Sequence, residues 1–205
     1  NPDRIAFYSY AHVPWIKPGQ RSFTEKDLPQ GIEKSILYEE GKALLEEKGY
    51  VEIGMDHFAL KSDSLFDAMQ TGNLHRNFMG YTTQQTKLLV GLGVSSISDA
   101  GVAYAQNEKT IHGYYSSLQK DELPVKRGFF LSDEDISFKK YILNISCKGK
   151  SSFKKEDLPM LNQYVFAELN KLEEDKLVEW NERAVQVTAL GYHFIRNICR
   201  AFDLR

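Results

Sequence analysis

The 205-residue chain is 42% hydrophobic and 12% aromatic, enough to bury a sizeable core in one large domain or two small ones. Its 26 Lys and Arg stand against 28 Asp and Glu, a formal charge of −2, which leaves no global basic excess for gripping nucleic acid. No apolar run approaches the roughly 20 residues that span a bilayer, and the opening NPDRIAFYSY lacks the basic, apolar, small-residue order of a signal peptide, so a cytoplasmic protein with no membrane partner is expected.

In chain order, residues 4–11, RIAFYSYA, have the aromatic and β-branched content of a strand. A loop through Pro14, Pro18 and Gly19 leads to residues 30–48. There Ile32, Ile36, Leu37, Ala43 and Leu44 fall at helical intervals among Glu and Lys, and Gly49 is a stop signal. Residues 50–55 read as a second strand and residues 63–70 as a short helix capped by Asp63 or Ser64. Residues 88–98, LLVGLGVSSIS, read as a nearly all-apolar third strand. Strands alternating with helices imply a parallel sheet with helical crossovers. Two or three such units cannot close a barrel, which takes eight. The expected fold is therefore α/β, with an incomplete parallel βα-barrel fragment over residues 1–120. A start without an initiator methionine, just ahead of a strand, reads as a piece of a longer protein.

Beyond Thr110 helices dominate, over residues 110–118, residues 132–147 behind the capping sequence SDED, and residues 158–172. A polar break at about residues 120–126 divides the halves. Residues 177–180 and 184–187 read as short strands about a turn at residues 181–183, followed by a helix over residues 188–202. Residues 121–205 are thus expected to form a mostly helical, winged-helix-like C-terminal domain. A nucleic-acid-binding role for it is disfavoured, because Glu168 offsets Lys171, and Lys176 is bracketed by Asp175 and Glu179. Cys147 and Cys199, the only cysteines, are too few for a cysteine-ligated metal site and read as buried, reduced thiols.

Ligands of parallel α/β proteins gather at the carboxyl ends of strands. Here those positions hold Tyr8, Tyr10, Ala11 and His12, then Asp56, His57 and Phe58, then Ser95, Ser96, Ile97, Ser98 and Asp99, with His75, Arg76, Asn77 and Tyr81 between the last two groups. Their joint placement predicts a pocket. Gly91 and Gly93 lack the third glycine of a dinucleotide fingerprint, replaced by Ser96, and read instead as a close backbone approach. Asp56, His57, His75 and His12 are suitable metal donors, but neighbours along a strand point to opposite faces, which argues against such a site.

The strings YAHVPWIKPGQR (residues 10–21), GMDHFAL (54–60), LHRNFMGYTTQ (74–84), GLGVSSISD (91–99), YAQN (104–107) and RNIC (196–199) run nearly end to end. Together they resemble the oxygen-independent coproporphyrinogen III oxidases, radical S-adenosylmethionine enzymes of porphyrin and haem biosynthesis. The related haem chaperones typically carry Ser-Asn-Phe/Tyr-Ala where this chain has DHFA, and His-Asn-x-x-Tyr-Trp where it has HRNFMGYTT. The oxidase reading is therefore preferred to a haem-binding relative without oxidase activity. The resemblance implies a four-iron four-sulfur cluster that cleaves S-adenosylmethionine with an electron from an external donor. The resulting radical takes a hydrogen from a propionate of coproporphyrinogen III. Loss of carbon dioxide and an electron, twice per substrate, then gives protoporphyrinogen IX. It further implies that Ala11 and Ile97 line the S-adenosylmethionine region, where Tyr8 and Tyr10 are expected neighbours because aromatic faces attract a sulfonium or stack on adenine. The family's Cys-x-x-x-Cys-x-x-Cys string belongs to the N-terminal half of the full enzyme. The chain thus resembles the C-terminal portion and is expected to hold no cluster and to be inactive alone. Met79 stands where some members have Gln. Arg21 and Arg76 are candidates for the substrate carboxylates by charge and position.

Overall fold

The computed structural model describes residues 1–204 and has a mixed α/β fold. Strand β1 (Arg4–Ala6) is followed by an irregular segment with two short 3-10 turns, then helix α1 (Gly31–Glu47), strand β2 (Tyr50–Ile53) and strand β3 (His57–Leu60). These strands form a sheet of order β1-β3-β2 in which every pairing is antiparallel, not parallel as expected. The cause lies in the reversal after β2. Residues 54–56, led by Gly54 at φ +66°, turn the chain within three residues, whereas a parallel crossover needs a dozen or more. The sequence reading had no strand at HFAL.

Helix α1 forms where its periodicity predicts, but Ile32, Ile36, Leu37 and Leu44 are exposed. The helix meets the sheet elsewhere. Phe7 stacks on Tyr38 at 5.4 Å and meets Phe58 edge-on at 6.1 Å, and Gly41 gives the Phe7 ring the space a Cβ would fill. Lys42 and the Tyr38 hydroxyl both reach Glu52 on β2, at 2.5 and 3.0 Å.

Helix α2 (Ser64–Gln70) is capped by Asp63, which accepts from Leu65 N at 2.6 Å and also pairs with Arg4 at 2.8 Å, tying the helix start to β1. Strands β4 (His75–Asn77) and β5 (Gly80–Thr82) form a hairpin. The strand expected over residues 88–98 is not formed. Gly93 at φ +92° and Ser95 at φ +63° fold this run back, so that Leu89 and Asp99 exchange backbone hydrogen bonds of 2.8 and 2.9 Å. Only its end becomes strand β6 (Ile97–Asp99). Strand β7 (Ala103–Asn107), helix α3 (Ile111–Leu118) and strand β8 (Val125–Phe130) follow, in an antiparallel sheet of order β6-β7-β8. Residues on both sides of position 120 thus share one sheet.

Helix α4 (Asp133–Lys148) starts in a capping box between Ser132 and Asp135 and stops at Gly149, which is left-handed at φ +65°. Strand β9 (Lys150–Ser152), helices α5 (Leu158–Tyr164) and α6 (Phe166–Glu174), strands β10 (Val178–Asn181) and β11 (Ala184–Val187) and helix α7 (Ile195–Arg200) complete the chain, with sheet order β10-β11-β9. The single helix expected over residues 158–172 is broken at Val165, whose φ of −118° opens the turn while its side chain stays fully buried.

Two cores result. The larger lies wholly in this last part, around Tyr141, Ile145, Leu161, Leu169, Val185, Ile198 and Phe202, each such side chain contributing about 1.5–3 kcal/mol by burial. The smaller comprises Ile53, Ala59, Leu65, Leu74 and Tyr81, with Cys147 of α4 packed against it. Helix α4 therefore serves both. The Tyr81 hydroxyl joins them, donating to Ser146 O of α4 at 2.9 Å.

Candidate functional site

Tyr8, Tyr10, Ala11 and His12 follow β1 as irregular backbone, shorter in strand than predicted, and line one cavity of 760 Å³ against α1. Gln20 holds this segment from behind, accepting from Val13 N at 2.6 Å and donating to Ala11 O at 3.2 Å. Phe7, Tyr8, Tyr10 and Tyr38 give it an aromatic side, and Glu25, Gln30 and Lys34 also line it. Burial, and then the Glu52 carboxylate, push the Tyr38 phenol well above its ordinary range, so it remains a neutral donor. His12 packs on Phe23 at 5.2 Å, and its Nδ1 is buried without a hydrogen-bond partner among the described residues.

Ile97 is not part of this wall. It lies on β6, opposite Gln106 of β7, and its backbone runs so close to Gly91 that a Cβ there would sit 2.8 Å from it, the close approach expected of that glycine, whereas Gly93 serves a left-handed turn at φ +92°. Arg21 and Arg76 are also apart. Arg21 donates to Pro14 O at 3.0 Å and braces the loop. Arg76, on β4, lies 5.8 Å from the Tyr81 ring centre, and its Nε is buried with no hydrogen-bond partner among the described residues. It lines a second cavity, of 480 Å³, with Phe78, Tyr104, Phe138 and Lys139.

Lys139 was missed by the sequence reading. It pairs with Asp99 at 2.8 Å and lies 4.7 Å from the Tyr104 ring centre. Burial opposes its charge, but the hydrogen bonds to Asp99 and Tyr104 prevail and raise its pKa. His75 is pushed the other way, below its usual value, by burial first and Lys139 second. Nothing at residue 139 distinguishes it in sequence from other helical lysines.

Asp56 and His57 sit at the β2–β3 turn. The strand alternation that argued against their joint use does not operate, because Asp56 belongs to the turn and its Oδ1 meets His57 Nδ1 at 2.5 Å. The second carboxylate oxygen accepts from the guanidinium of Arg196, at 2.7 Å, 140 residues away on α7. Asp56 is only 4% exposed. Nothing in the RNIC string marks Arg196 as a site residue, and only the fold brings it to Asp56.

Cys147 is half-buried and Cys199 buried, and both are free. Burial raises both thiols, Cys199 to about 12. Among the described residues no three His, Cys, Asp or Glu converge as a metal site. The donors present therefore do not suit an iron–sulfur cluster, whereas the aromatic cavity beside Ala11 suits an adenosyl group carrying a positive sulfur. No described helix is long and apolar enough to cross a membrane.

No family model matches the chain. Among curated proteins it is 40% identical to an oxygen-independent coproporphyrinogen III oxidase of Synechocystis and 40% identical to that of Escherichia coli. In each case 99% of this chain aligns with 46% of the relative. The solved coproporphyrinogen III oxidase of Escherichia coli, a radical SAM enzyme, superposes with a TM-score of 0.85 at 39% identity, covering all of this chain and 48% of that one. The chain spans about half the length of the curated relatives it matches.

Proposed function

We propose, from the premise that this chain is homologous to the C-terminal part of the oxygen-independent coproporphyrinogen III oxidases, that it is part of an enzyme of the same activity. The longer protein would oxidatively decarboxylate two propionates of coproporphyrinogen III to give protoporphyrinogen IX in porphyrin biosynthesis. The observation that carries this reading is identity of about 40% sustained over 99% of the chain. When bound, S-adenosylmethionine and a four-iron four-sulfur cluster supply hydrogen-atom abstraction, with an external protein or small reductant delivering the electron. Cysteines of the preceding part would hold the cluster.

The residues of this chain take the remaining tasks in the proposal. Tyr8, Tyr10 and Ala11 wall the adenosyl group, in keeping with the one cavity they share. Ile97 offers an apolar contact from the third sheet. Arg21 and Arg76 meet carboxylates of the substrate. For Arg76 the support is a guanidinium Nε buried without a partner beside an aromatic-lined cavity. In the same reading β1, at the edge of its sheet, takes a parallel strand from the preceding part and so continues an incomplete barrel. Residues 121–205 form a mostly helical, winged-helix-like cover. A nucleic-acid role gains no support from α6, where Lys171 is paired with Glu168 at 2.6 Å.

The test compares the full-length protein with this chain, both treated anaerobically with iron, sulfide, S-adenosylmethionine, reductant and coproporphyrinogen III. Full-length protein should release deoxyadenosine and protoporphyrinogen, and the short chain neither. Full-length protein that binds a cluster yet releases neither product would overturn the proposal.

A further inference from the structure

A three-residue reversal needs little beyond its own backbone, yet the β2–β3 turn is held from several directions. Phe7 N donates to Asp56 O at 2.8 Å. Met55 N donates to the Tyr81 hydroxyl at 3.2 Å, and that hydroxyl donates onward to α4. Arg196 of α7 holds the Asp56 carboxylate. Two distant parts of the chain thus bond Asp56 itself, and Tyr81 holds Met55 beside it.

The consequence falls on the imidazole. Its Nδ1 is engaged by Asp56, and Tyr81 and Tyr8 meet it edge-on, with ring centres at 5.3 and 6.2 Å. The ring is therefore fixed in rotation. With Nδ1–H donating to a carboxylate, the neutral ring carries its lone pair on Nε2. That nitrogen makes no hydrogen bond among the described residues. It faces Gly80, where a Cβ would stand only 3.0 Å from it, so a larger residue there would crowd the nitrogen. Tyr8, at its other side, is also a wall of the aromatic cavity. A ring nitrogen left unpaired while its partner is locked by a buried carboxylate is a preset acceptor.

We propose that His57 is a positioning residue for a bound ligand. Nε2 accepts a hydrogen bond from an N–H or O–H group of a molecule lying against Tyr8 and Gly80, and Asp56, oriented by Arg196, sets the tautomer. The inference rests on the function proposed above, in which two molecules bring such donors. S-adenosylmethionine has ribose hydroxyls and an ammonium group, and the porphyrinogen has pyrrole N–H groups.

Nitrogen NMR of the chain labelled at histidine gives the first test and needs no ligand. In the neutral ring of His57 the proton should reside on Nδ1, and Asp56→Ala should yield a mixture of tautomers. Calorimetric titration of full-length protein with S-adenosylmethionine and, separately, with coproporphyrin III gives the second. His57→Phe should weaken one of them about tenfold, while His57→Gln, whose side-chain oxygen can accept at the same place, should stay within about threefold. The ligand that loses affinity identifies the donor. Should His57→Phe fail to fold, the tautomer and the His57→Gln titration decide. A proton on Nε2 in the neutral wild-type ring, or wild-type affinity of His57→Phe for both ligands, would overturn the inference and leave the proposed activity standing. Wild-type protein that binds neither ligand would overturn both.

Discussion

Replacing Arg196 by Met keeps most of the side chain's length and removes its charge from Asp56. Breaking a fully buried ion pair typically costs about 3–5 kcal/mol, because the remaining charge is left without compensation. Here only one partner is buried. Asp56 is 4% exposed, but the Arg196 side chain is 66% exposed and already well hydrated. Two unit charges near 3–4 Å attract by about 1 kcal/mol in water and about 4 at a surface-like dielectric, so a loss of about 2 kcal/mol is expected. His57 Nδ1 and the turn's backbone bonds remain in place and limit the damage. The assay is urea unfolding of wild type, Arg196→Met, Asp56→Asn and the double variant. Removing the cation once the carboxylate is neutral should cost less than about 0.5 kcal/mol, giving a coupling energy of about 1.5 kcal/mol. Strict additivity of the two substitutions would refute the ion pair as the link between α7 and the turn.

Three further outcomes follow from the same contacts. Gly54→Ala would place a Cβ inside the Tyr81 ring at a φ of +66°, so unfolding free energy should fall by about 3 kcal/mol or more, and wild-type stability would show that the turn is free to relax. Tyr141→Phe removes a 2.5 Å hydrogen bond to the buried Asp157 carboxylate and the acceptor of Lys154 N; about 2 kcal/mol should be lost in denaturant titration, and a change below about 0.5 would contradict that role. Cys199, with its thiol raised to about 12, should resist iodoacetamide at pH 8 in the native chain and react once unfolded. Because the folded pKa exceeds the unfolded one, its contribution to stability is complete below about 8.5 and is lost as pH rises toward 12; rapid labelling of the native chain would refute the burial argument.

Signals within one turn of chain were legible in the sequence. The Asp63 cap, the SDED capping box and the pairing of residues 184–187 with β10 all depend on neighbours a few positions away. Sheet direction was not legible, because the apolar content of LLVGLGVSSIS is the same whether the run is extended or folded back, and the positive φ at Gly93 and Ser95 decides between them. Grouping Tyr8, Tyr10 and Ala11 needed only their adjacency in the chain. The separation of Ile97 from that cavity, the rest of the second cavity around Lys139, and the reach of Arg196 to Asp56 are properties of tertiary packing. Periodicity carries no record of them. The exposed stripe on α1 shows the same limit, since the pattern predicts a helix without stating what covers it.

The contact between Arg196 and Asp56 also bears on the order in which the molecule assembles. It joins positions 140 residues apart, while the large core on one side and the β2–β3 hairpin on the other are built from segments that are each continuous in sequence. The entropic cost of closing so long a loop is met only after both partners exist. Arg196 should therefore contribute little to the folding transition state, and its loss should hasten unfolding rather than slow folding. Helix α7 supplies Ile195, Ile198 and Cys199 to the large core, so Arg196 stays in place as long as that core is closed. Opening of the large core would then release the carboxylate that orients His57 and link the integrity of the last helix to a turn near the beginning of the chain.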